Sequence, residues 1–507
     1  MQFPFPILSF IIFIPLVAGL AILAMPANRR DWIRWTALGA ALVTLLLTLI
    51  VYFGYNTSIG DYQFMEGPIE WVPALGISYF LGIDGISAPL LLLGALVMTF
   101  GIMISWNVED RSREFFAFLM FLGTSVLGVF SSLDLFALFF FFELAVFPKY
   151  LMIAMWGSPQ TRNYGAMKLT LYLFIGSVIA MVGVLVMYFA AGQATGVYTF
   201  NMLELERAGF DLGLQQWVFP VVFLGFAILG GIFPFHSWAP DGHVAAPTAV
   251  SMLLAGVEMK VGAFAALRVA IMLMPEGARM WAPLILILGT INVVYGALIA
   301  MIQTDFKYVI GFSSVSHMGL VMIGFATLNP EGLLGSGMQM FSHGVMTALF
   351  FAIVGMVYDR THTRNIGELG GLFRKMPFAA VGFIVAGLVS MGMPFFSGFA
   401  AEFPIFMGAW RWAQEPGGSA LVPIFAVLGV IITAGYILMV VRRVFFGELP
   451  AAFERTVGDI SIMDKIVVVS LSAIMILLGW FPQALMAGMV QSGVDRMLGL
   501  LARMGGV

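Results

Sequence analysis

The chain of 507 residues contains no cysteine. Disulfide bonds, cysteine-ligated iron–sulfur clusters and cysteine-attached haem are therefore excluded. Histidine is also scarce, with five residues in the whole chain, and this leaves little room for a metal centre with imidazole ligands. The sequence therefore predicts no metal site.

Charged residues are few, at 10% of the chain, whereas a soluble domain has about 25%. Hydrophobic residues make up 61%, which is more than a folded core can hide from water, so the composition predicts a protein that lies in a lipid bilayer. The formal net charge of −3 is too small to indicate a nucleic-acid partner. Lipids are the partners that the composition predicts first.

The N-terminus reads MQFPFPILSF and lacks the basic residues that precede the apolar run of a secretory signal. The positive charges of Arg29 and Arg30 follow this run instead. We therefore expect a retained first membrane span whose N-terminus lies outside the cell.

Long apolar segments follow one another along almost the whole chain. A membrane-spanning helix needs about 20 apolar residues, and we predict about fourteen such helices. They begin near residues 5, 34, 85, 114, 134, 168, 216, 247, 282, 308, 336, 377, 420 and 466. The runs are continuous and do not alternate with a period of two, which favours an all-α membrane protein over a β-barrel.

The distribution of basic residues predicts the orientation of these helices. Residues 54–87 contain Asp61, Glu66, Glu70 and Asp84 but no Lys or Arg. Most of the 24 basic residues fall on the opposite side of an alternating topology. Because basic loops are retained in the cytoplasm, we expect residues 54–87 and both chain termini to lie on the outer side.

Two of the predicted spans, the seventh and the twelfth, are interrupted. One reads ILGGIFPFHSWAPDGHVAAPT, with prolines at 234, 240 and 247, and the other reads GLVSMGMPFFSGFAAEFPIF, with prolines at 394 and 404. Proline removes a backbone donor and clashes with the preceding turn. One interrupted span in each half of the chain is typical of transporters built from repeats. The alternative is that Gly and Pro are simply common in membrane helices.

Six titratable residues lie within predicted spans, where each ionised group costs roughly 2.5–3.5 kcal/mol. They are Glu143, Glu258, Lys260, His317, His343 and Glu402. A series of such groups can pass a proton along through intervening water, as in pumps. For either histidine alone, a hydrogen-bonded core role is the simpler interpretation. Lys149 and Lys168 are expected to extend to the inner surface instead.

Several long motifs resemble the antiporter-like membrane subunits of respiratory complex I. They are FFFFELAVFPKYLMI, PFHSWAPDGHVAAPTAVSMLLAG, QTDFKYVIGFSSVSHMG, FSHGVMTALFF and GMPFFSGFAAEF, supported by the outer segment GIDGIS. The resemblance covers nearly the whole chain, about residues 75–450.

The resemblance implies a fourteen-helix fold with two inverted five-helix repeats, each containing one broken helix. The divisions are then residues 1–113 for three helices and an outer loop, 114–272 and 273–445 for the two repeats, and 446–507 for an inner loop and the last helix. It also implies a bacterial inner-membrane location, beside other membrane subunits and a peripheral redox arm. Such a subunit holds no cofactor, since iron–sulfur clusters and bound quinone belong to its partners.

The resemblance further assigns roles to individual residues. Glu143 would be the acid of an ion pair at the pumping site, and Lys260 the lysine of the eighth span. His317 and His343 would continue the relay, and Glu402 would lead to the exit side. The chain would couple electron transfer in partner subunits to ion translocation.

The sequence departs from this family at two positions. A lysine is usual in the seventh span, but Leu229 stands there, and Glu258 is an extra acid where the family tends to be apolar. We expect Lys260 to be the only cation near the middle of the membrane in the first repeat. One of Glu143 and Glu258 would then be protonated at rest, and the host complex could differ from the standard NADH enzyme.

Other functions remain open from the sequence alone. Homologous subunits occur in multisubunit sodium/proton antiporters and membrane-bound hydrogenases, which the composition of the purified complex would distinguish. A membrane cytochrome would use pairs of histidines, His236 with His243 or His317 with His343, as haem ligands. A purely structural subunit would leave the cost of Glu143, Lys260 and Glu402 unexplained.

Overall fold

The computed structural model describes residues 5–504. Within that range, thirteen helical segments are long and apolar enough to cross a membrane. In chain order they are Ile7–Ala24, Arg30–Gly54, Ser87–Ile104, Ser112–Ser131, Leu135–Trp156, Arg162–Thr195, Leu212–Leu229, Thr248–Ile271, Pro275–Ile302, Phe306–Ala326, Pro330–Thr361, Leu421–Phe445 and Ile462–Trp480. Short helices Met202–Ala208 and Ala451–Glu454 lie in the connecting loops.

The twelfth crossing is the shorter helix Pro377–Ser390, which is followed after a break by Ser397–Ala413. Adding it to the thirteen gives the fourteen spans predicted from the sequence. The second and sixth spans begin at Arg30 and Arg162, several residues earlier than predicted. Helical structure does not end where the apolar run ends, because charged side chains at a helix terminus reach the headgroup region.

The seventh span ends at Leu229 and the chain resumes as the helix Trp238–Ala245. Backbone groups freed by such a break need partners inside the protein. Asn292 of the ninth span supplies two of them: its Oδ1 accepts from the Phe233 amide at 2.5 Å, and its Nδ2 donates to the Gly231 carbonyl at 2.8 Å. The predicted interruption of the seventh span is confirmed.

The fifth and eighth spans also depart from regular helix. The fifth is divided at Ala145 into Leu135–Leu144 and Val146–Trp156. The eighth contains two π-helical turns, Leu254–Glu258 and Ala266–Ile271. π-Helical turns often occur at functional sites, and the first of these ends on one of the predicted site residues.

The helices are not equally exposed to the membrane. In the most apolar stretch of the eighth and of the eleventh span, 100% of the residues are buried inside the protein. In the thirteenth and fourteenth spans, 33% are buried. The eighth and eleventh spans therefore form the centre of the bundle, and they carry Glu258, Lys260 and His343.

Residues 54–87 contain a structure that the sequence analysis missed, an antiparallel hairpin of strands Gln63–Val72 and Ile77–Ile83. A second addition is the helix Gly488–Met504, which follows the last span. Its Arg496 pairs with Asp61 beside the hairpin, at 3.1 Å. This helix has 17 residues and carries Asp495 and Arg496, and it is not among the described segments that are long and apolar enough to cross a membrane.

The start of the first span lies at the same hairpin. The amides of Leu8 and Ser9 donate to the Glu66 carboxylate at 2.6 and 3.0 Å. The first span and the C-terminal helix therefore meet on one side of the bundle, as an even number of crossings requires.

Arg268, at the end of the eighth span, is buried but already neutralised. Its guanidinium pairs with Asp84 at 2.7 Å and donates to the Tyr62 hydroxyl at 2.8 Å. Burial alone would raise the pKa of the Asp84 carboxyl, but the charge of Arg268 and the Ser87 amide bring that pKa below its usual value. This cluster fastens the eighth span to the hairpin and lies apart from the predicted relay.

Candidate functional site

Five of the six predicted site residues are buried in the bundle. The exposed fractions are 2% for Glu258, 0% for Lys260, 2% for His317, 1% for His343 and 2% for Glu402. Glu143 is half-buried. The buried residues come from the eighth, tenth, eleventh and twelfth spans, so the fold brings together groups that are far apart in sequence.

Glu402 is held at one end of this line by residues of two other spans. Its Oε1 lies 3.2 Å from His317 Nδ1 and accepts from Gln339 Nε2, also at 3.2 Å. The other ring nitrogen of His317, Nε2, lies 2.9 Å from Ser390 Oγ. An imidazole in contact with a carboxylate can exchange a proton with it, because each group can either hold or release a proton at the atoms that face each other.

The second oxygen of Glu402, Oε2, is buried without a hydrogen-bond partner in the described part of the chain. It faces the break of the twelfth span, where Gly392 adopts a φ of +63°. A Cβ added to Gly392 would lie 2.7 Å from this oxygen. The break therefore provides both the left-handed backbone and the free space that the carboxylate needs.

Gly392→Ala is expected to lower ion translocation markedly while the protein still assembles. The added methyl group would crowd Glu402 Oε2, and the left-handed backbone would add about 1–2 kcal/mol of strain. Gly417→Ala is the matched control, because Gly417 has a φ of +86° but open space around its Cα. Translocation by reconstituted complexes of both variants checks this; equal loss in the two would leave Glu402 out of the explanation.

His343 continues the line from His317 toward the eighth span. The two imidazole rings lie 5.2 Å apart between centroids. Both ring nitrogens of His343 are buried and unpaired among residues 5–504. Its charged or titratable neighbours include Lys260 and His317, so it lies between the lysine at one end and the carboxylate at the other.

Lys260 has no carboxylate partner among the described residues. Its Nζ donates to the backbone carbonyl of Ala255, in the π-helical turn that precedes it. Gly262, one residue beyond Val261, lets the seventh-span break approach closely, since a Cβ there would lie 2.5 Å from the Gly230 nitrogen. The Lys260 amine therefore has only a backbone acceptor, and it belongs to a span that packs closely against the break of the seventh span.

The expectation that Lys149 extends to the inner surface is wrong. Its side chain is buried, with 2% exposure, and it forms an ion pair with Glu258. Pro148 and Lys149 follow the division of the fifth span at Ala145, and this turns the amine into the bundle rather than along the membrane. Lys168, by contrast, is partly exposed and pairs with Asp241 at 2.6 Å.

The Lys149–Glu258 pair changes the charge balance predicted for the first half. Lys260 is not the only buried cation there, and Glu258 does not depend on Lys260 for neutralisation. Removing one member of a buried pair costs about 3–5 kcal/mol, because the other charge is left without a partner. The two residues are therefore strongly coupled to each other.

Glu143 is not brought to either lysine. Within residues 5–504 it has no hydrogen bond or ion pair, and it ends the first half of the fifth span next to the division at Ala145. Its neighbours Phe140 and Phe147 are 48% and 65% exposed. The structure thus places this acid toward the lateral surface rather than at the centre of the line, and its role in ion transfer stays a prediction.

From the sequence, His243 is a candidate only as a haem ligand, and Lys307 is not among the predicted site residues. His243 is fully buried, and Lys307 and Lys260 are the lysines that act on it electrostatically. Lys307 donates to the Ala246 carbonyl at 2.6 Å and lines a cavity of about 240 Å³ with Asp359 and Arg364. This cavity lies away from the hairpin side. The prolines at 240 and 247, which interrupt the seventh span on either side of His243, are the sequence feature that could have pointed to this region.

Comparison with known proteins agrees with the fold and the composition. The family model described as NADH:quinone oxidoreductase/Mrp antiporter, transmembrane region, matches residues 132–446. NAD(P)H-quinone oxidoreductase chain 4 of Gloeobacter violaceus is 37% identical over 487 residues, covering 95% of this chain and 91% of that protein. NADH-quinone oxidoreductase subunit M of Rhodobacter capsulatus is 36% identical over 490 residues, covering 94% and 93%.

Solved structures show the same architecture. A chain of respiratory complex I from Thermus thermophilus with bound NADH has a TM-score of 0.87 and 28% identity, covering 98% of this chain and 100% of that chain. A chain of the Mrp complex from a Dietzia species has a TM-score of 0.84 at 19% identity, covering 99% of both. At that identity, the second likeness concerns the fold alone.

Proposed function

Because the chain belongs to the NADH:quinone oxidoreductase/Mrp antiporter family, we propose that it is the proton-translocating membrane subunit of a complex I-type oxidoreductase. It corresponds to the subunits named M or chain 4 in its relatives. The redox reaction takes place in partner subunits, and this chain uses the free energy of that reaction to move protons.

One observation carries the proposal: the buried line Lys260, His343, His317 and Glu402. It begins at an amine that has only a backbone acceptor and ends at a carboxylate with one unpaired oxygen. The eighth span, which carries Lys260, packs against the seventh-span break at Gly230, and the twelfth-span break at Gly392 borders Glu402. Interrupted helices commonly surround the ion path in transporters.

We propose that protons move along the line from the side opposite the hairpin toward Glu402. Lys260 can give its proton to His343, His343 can pass a proton to His317, and His317 to Glu402. Each imidazole accepts on one nitrogen and donates from the other. The cavity beside Lys307 would supply protons from the side opposite the hairpin, and His243 would link it to Lys260.

The lateral face around Glu143 fits contact with other membrane subunits. Lipid tails cannot hydrogen-bond a carboxylate, so a half-buried acid between exposed phenylalanines needs a protein neighbour. We propose that the complete assembly also includes a peripheral arm, which holds iron–sulfur clusters and a quinone site. Lipids would surround the rest of the bundle. This chain would hold no cofactor and would bind no nucleic acid.

A sodium/proton antiporter subunit is the second candidate, because the Mrp chain shares the fold. The relatives at 36–37% identity are named as quinone oxidoreductase subunits, which favours the first. The intact complex, purified through a tag on this chain, is expected to contain redox subunits and to reduce quinone with NADH or NADPH. Antiporter subunits without redox partners would support the second candidate and contradict the first.

The proposed orientation places residues 54–87 and both termini outside the bacterial inner membrane. The chain has no cysteine, so a single introduced cysteine is the one site in this chain that a maleimide can label. Thr57 and Ala452 are exposed on opposite sides of the bundle. We expect a membrane-impermeant maleimide to label Thr57→Cys in intact spheroplasts and Ala452→Cys only after lysis; labelling of both in intact spheroplasts would contradict the topology.

A further inference from the structure

We infer that Lys149 and Glu258 form the switchable ion pair of the first half of this protein, in place of a pair based on position 229. The inference rests on the proposed function and specifies which charges control Lys260. It departs from the expectation that Glu143 and Lys260 share this role.

The Lys149–Glu258 pair lies beside Leu229, the position where the family usually has a lysine. Lys149 comes from the second half of the fifth span and Glu258 from the eighth, and each is 2% exposed. Leu229 lines a small cavity together with both. A cation at 149 therefore reaches the same pocket that a side chain at 229 faces, and Leu229 fills the apolar wall.

Both partners lie next to irregular backbone. Lys149 follows the division of the fifth span at Ala145, and Glu258 ends the π-helical turn Leu254–Glu258. The same turn contains Ala255, whose carbonyl accepts from Lys260. A shift of this turn would move Glu258 relative to Lys149 and would change the acceptor of Lys260 at the same time.

Charge explains how the pair would act. Glu258 lies two residues before Lys260, near enough for its charge to be felt through a poorly polarisable interior. While Lys149 is close, it neutralises Glu258, and Lys260 can release its proton toward His343. When Lys149 moves away, the negative charge of Glu258 favours a proton on Lys260.

The pair also has room to change state. Glu258 Oε1 has no hydrogen-bond partner among residues 5–504, and the adjoining cavity of about 10 Å³ is near the minimum for one water molecule. The unsatisfied oxygen leaves Glu258 able to take a second partner without losing an existing one. Buried ion pairs are also no more stabilising than well-packed apolar residues, so packing alone does not account for this one.

The test uses the intact complex in vesicles and four forms of this chain: Lys149→Met, Glu258→Gln, the double variant, and Lys149→Met with Leu229→Lys. Proton translocation and quinone reduction are measured together, and assembly is checked by subunit content. The double variant is neutral and keeps the volume of the pair. The last variant returns a cation to the same cavity from the seventh span.

We expect Lys149→Met to lower translocation on the order of 100-fold, as for loss of one proton-controlling group. The double variant should assemble but remain defective. Leu229→Lys should restore much of the translocation in the Lys149→Met background, because it returns a cation to the carboxylate.

A structural role predicts a different pattern, in which the neutral double variant both assembles and translocates at the parental rate. That result would overturn the inference. Failure of all four forms to assemble would also overturn it, by assigning the pair to folding. If Lys149→Met is fully active while Glu402→Gln is not, the inference fails and the proposed function stands. If both are fully active, the proposed function fails.

Discussion

Lys260→Met is expected to abolish proton translocation in an otherwise assembled complex, with a loss on the order of 100-fold. Methionine keeps the length and most of the volume of lysine but can neither hold nor release a proton. Lys260 is the one amine in the proposed line, and among the described residues it has only a backbone acceptor. Electron transfer should slow as well, and any that remains should no longer be matched by translocation.

Lys375→Met is the matched control. Lys375 makes the same type of contact, donating to the Glu454 carbonyl at 2.8 Å, but at the exposed rim of the bundle. It should leave translocation unchanged, since exposed polar contacts contribute little. Vesicle acidification driven by quinone reduction measures both variants, and a parental rate in Lys260→Met would exclude the amine from the path.

Glu402→Gln is expected to have the second large effect, again with assembly retained. Glutamine fills the same space and can still contact Gln339 and His317, but it cannot accept a proton from the imidazole. Translocation should therefore fall by a similar factor, on the order of 100-fold. Glu402→Asp should be tolerated better, since it keeps an acid at a slightly shorter reach.

Glu331→Gln provides the comparison for this substitution. Glu331 pairs with Arg411 at 2.6 Å, but the two side chains are 36% and 59% exposed, and such surface pairs contribute about 0–1 kcal/mol. The order expected for translocation is parent, Glu331→Gln, Glu402→Asp and Glu402→Gln. Equal rates for the Gln and Asp forms of Glu402 and the parent would remove this carboxylate from the path.

The sequence was most informative where a single segment carries the signal. Apolar length predicted the spans, because the bilayer fixes how much apolar surface a helix must present. The broken spans were also predictable, since Gly and Pro act on the backbone locally, as at Gly231 and Gly392. The inverted repeats that the family resemblance implies stay a prediction.

Pairing between distant segments could not be predicted in the same way. Lys149 and Glu258 are 109 positions apart, and the local sequence around each residue does not indicate that the two form a pair. The apolar run around Lys149 suggested a side chain reaching the surface, but the division of the fifth span at Ala145 changes its direction. The same division moves Glu143 toward the lateral surface.

The outer structures were missed for a different reason. Residues 63–83 form a hairpin although the surrounding chain is helical, and the helix Gly488–Met504 is too polar to be predicted as a span. Both are fastened by contacts that exist only in the folded protein, such as the pair of Arg496 with Glu206 at 2.7 Å.

The central claim is that protons cross through the buried line from Lys260 to Glu402, driven by electron transfer elsewhere in the complex. The most direct measurement is the number of protons taken up into vesicles per electron delivered to quinone, recorded simultaneously for the parent, Lys260→Met and Glu402→Gln complexes. We predict that proton uptake falls steeply in both variants, with any residual electron transfer no longer matched by acidification. Parental proton-to-electron ratios at parental rates in both assembled variants would contradict the account.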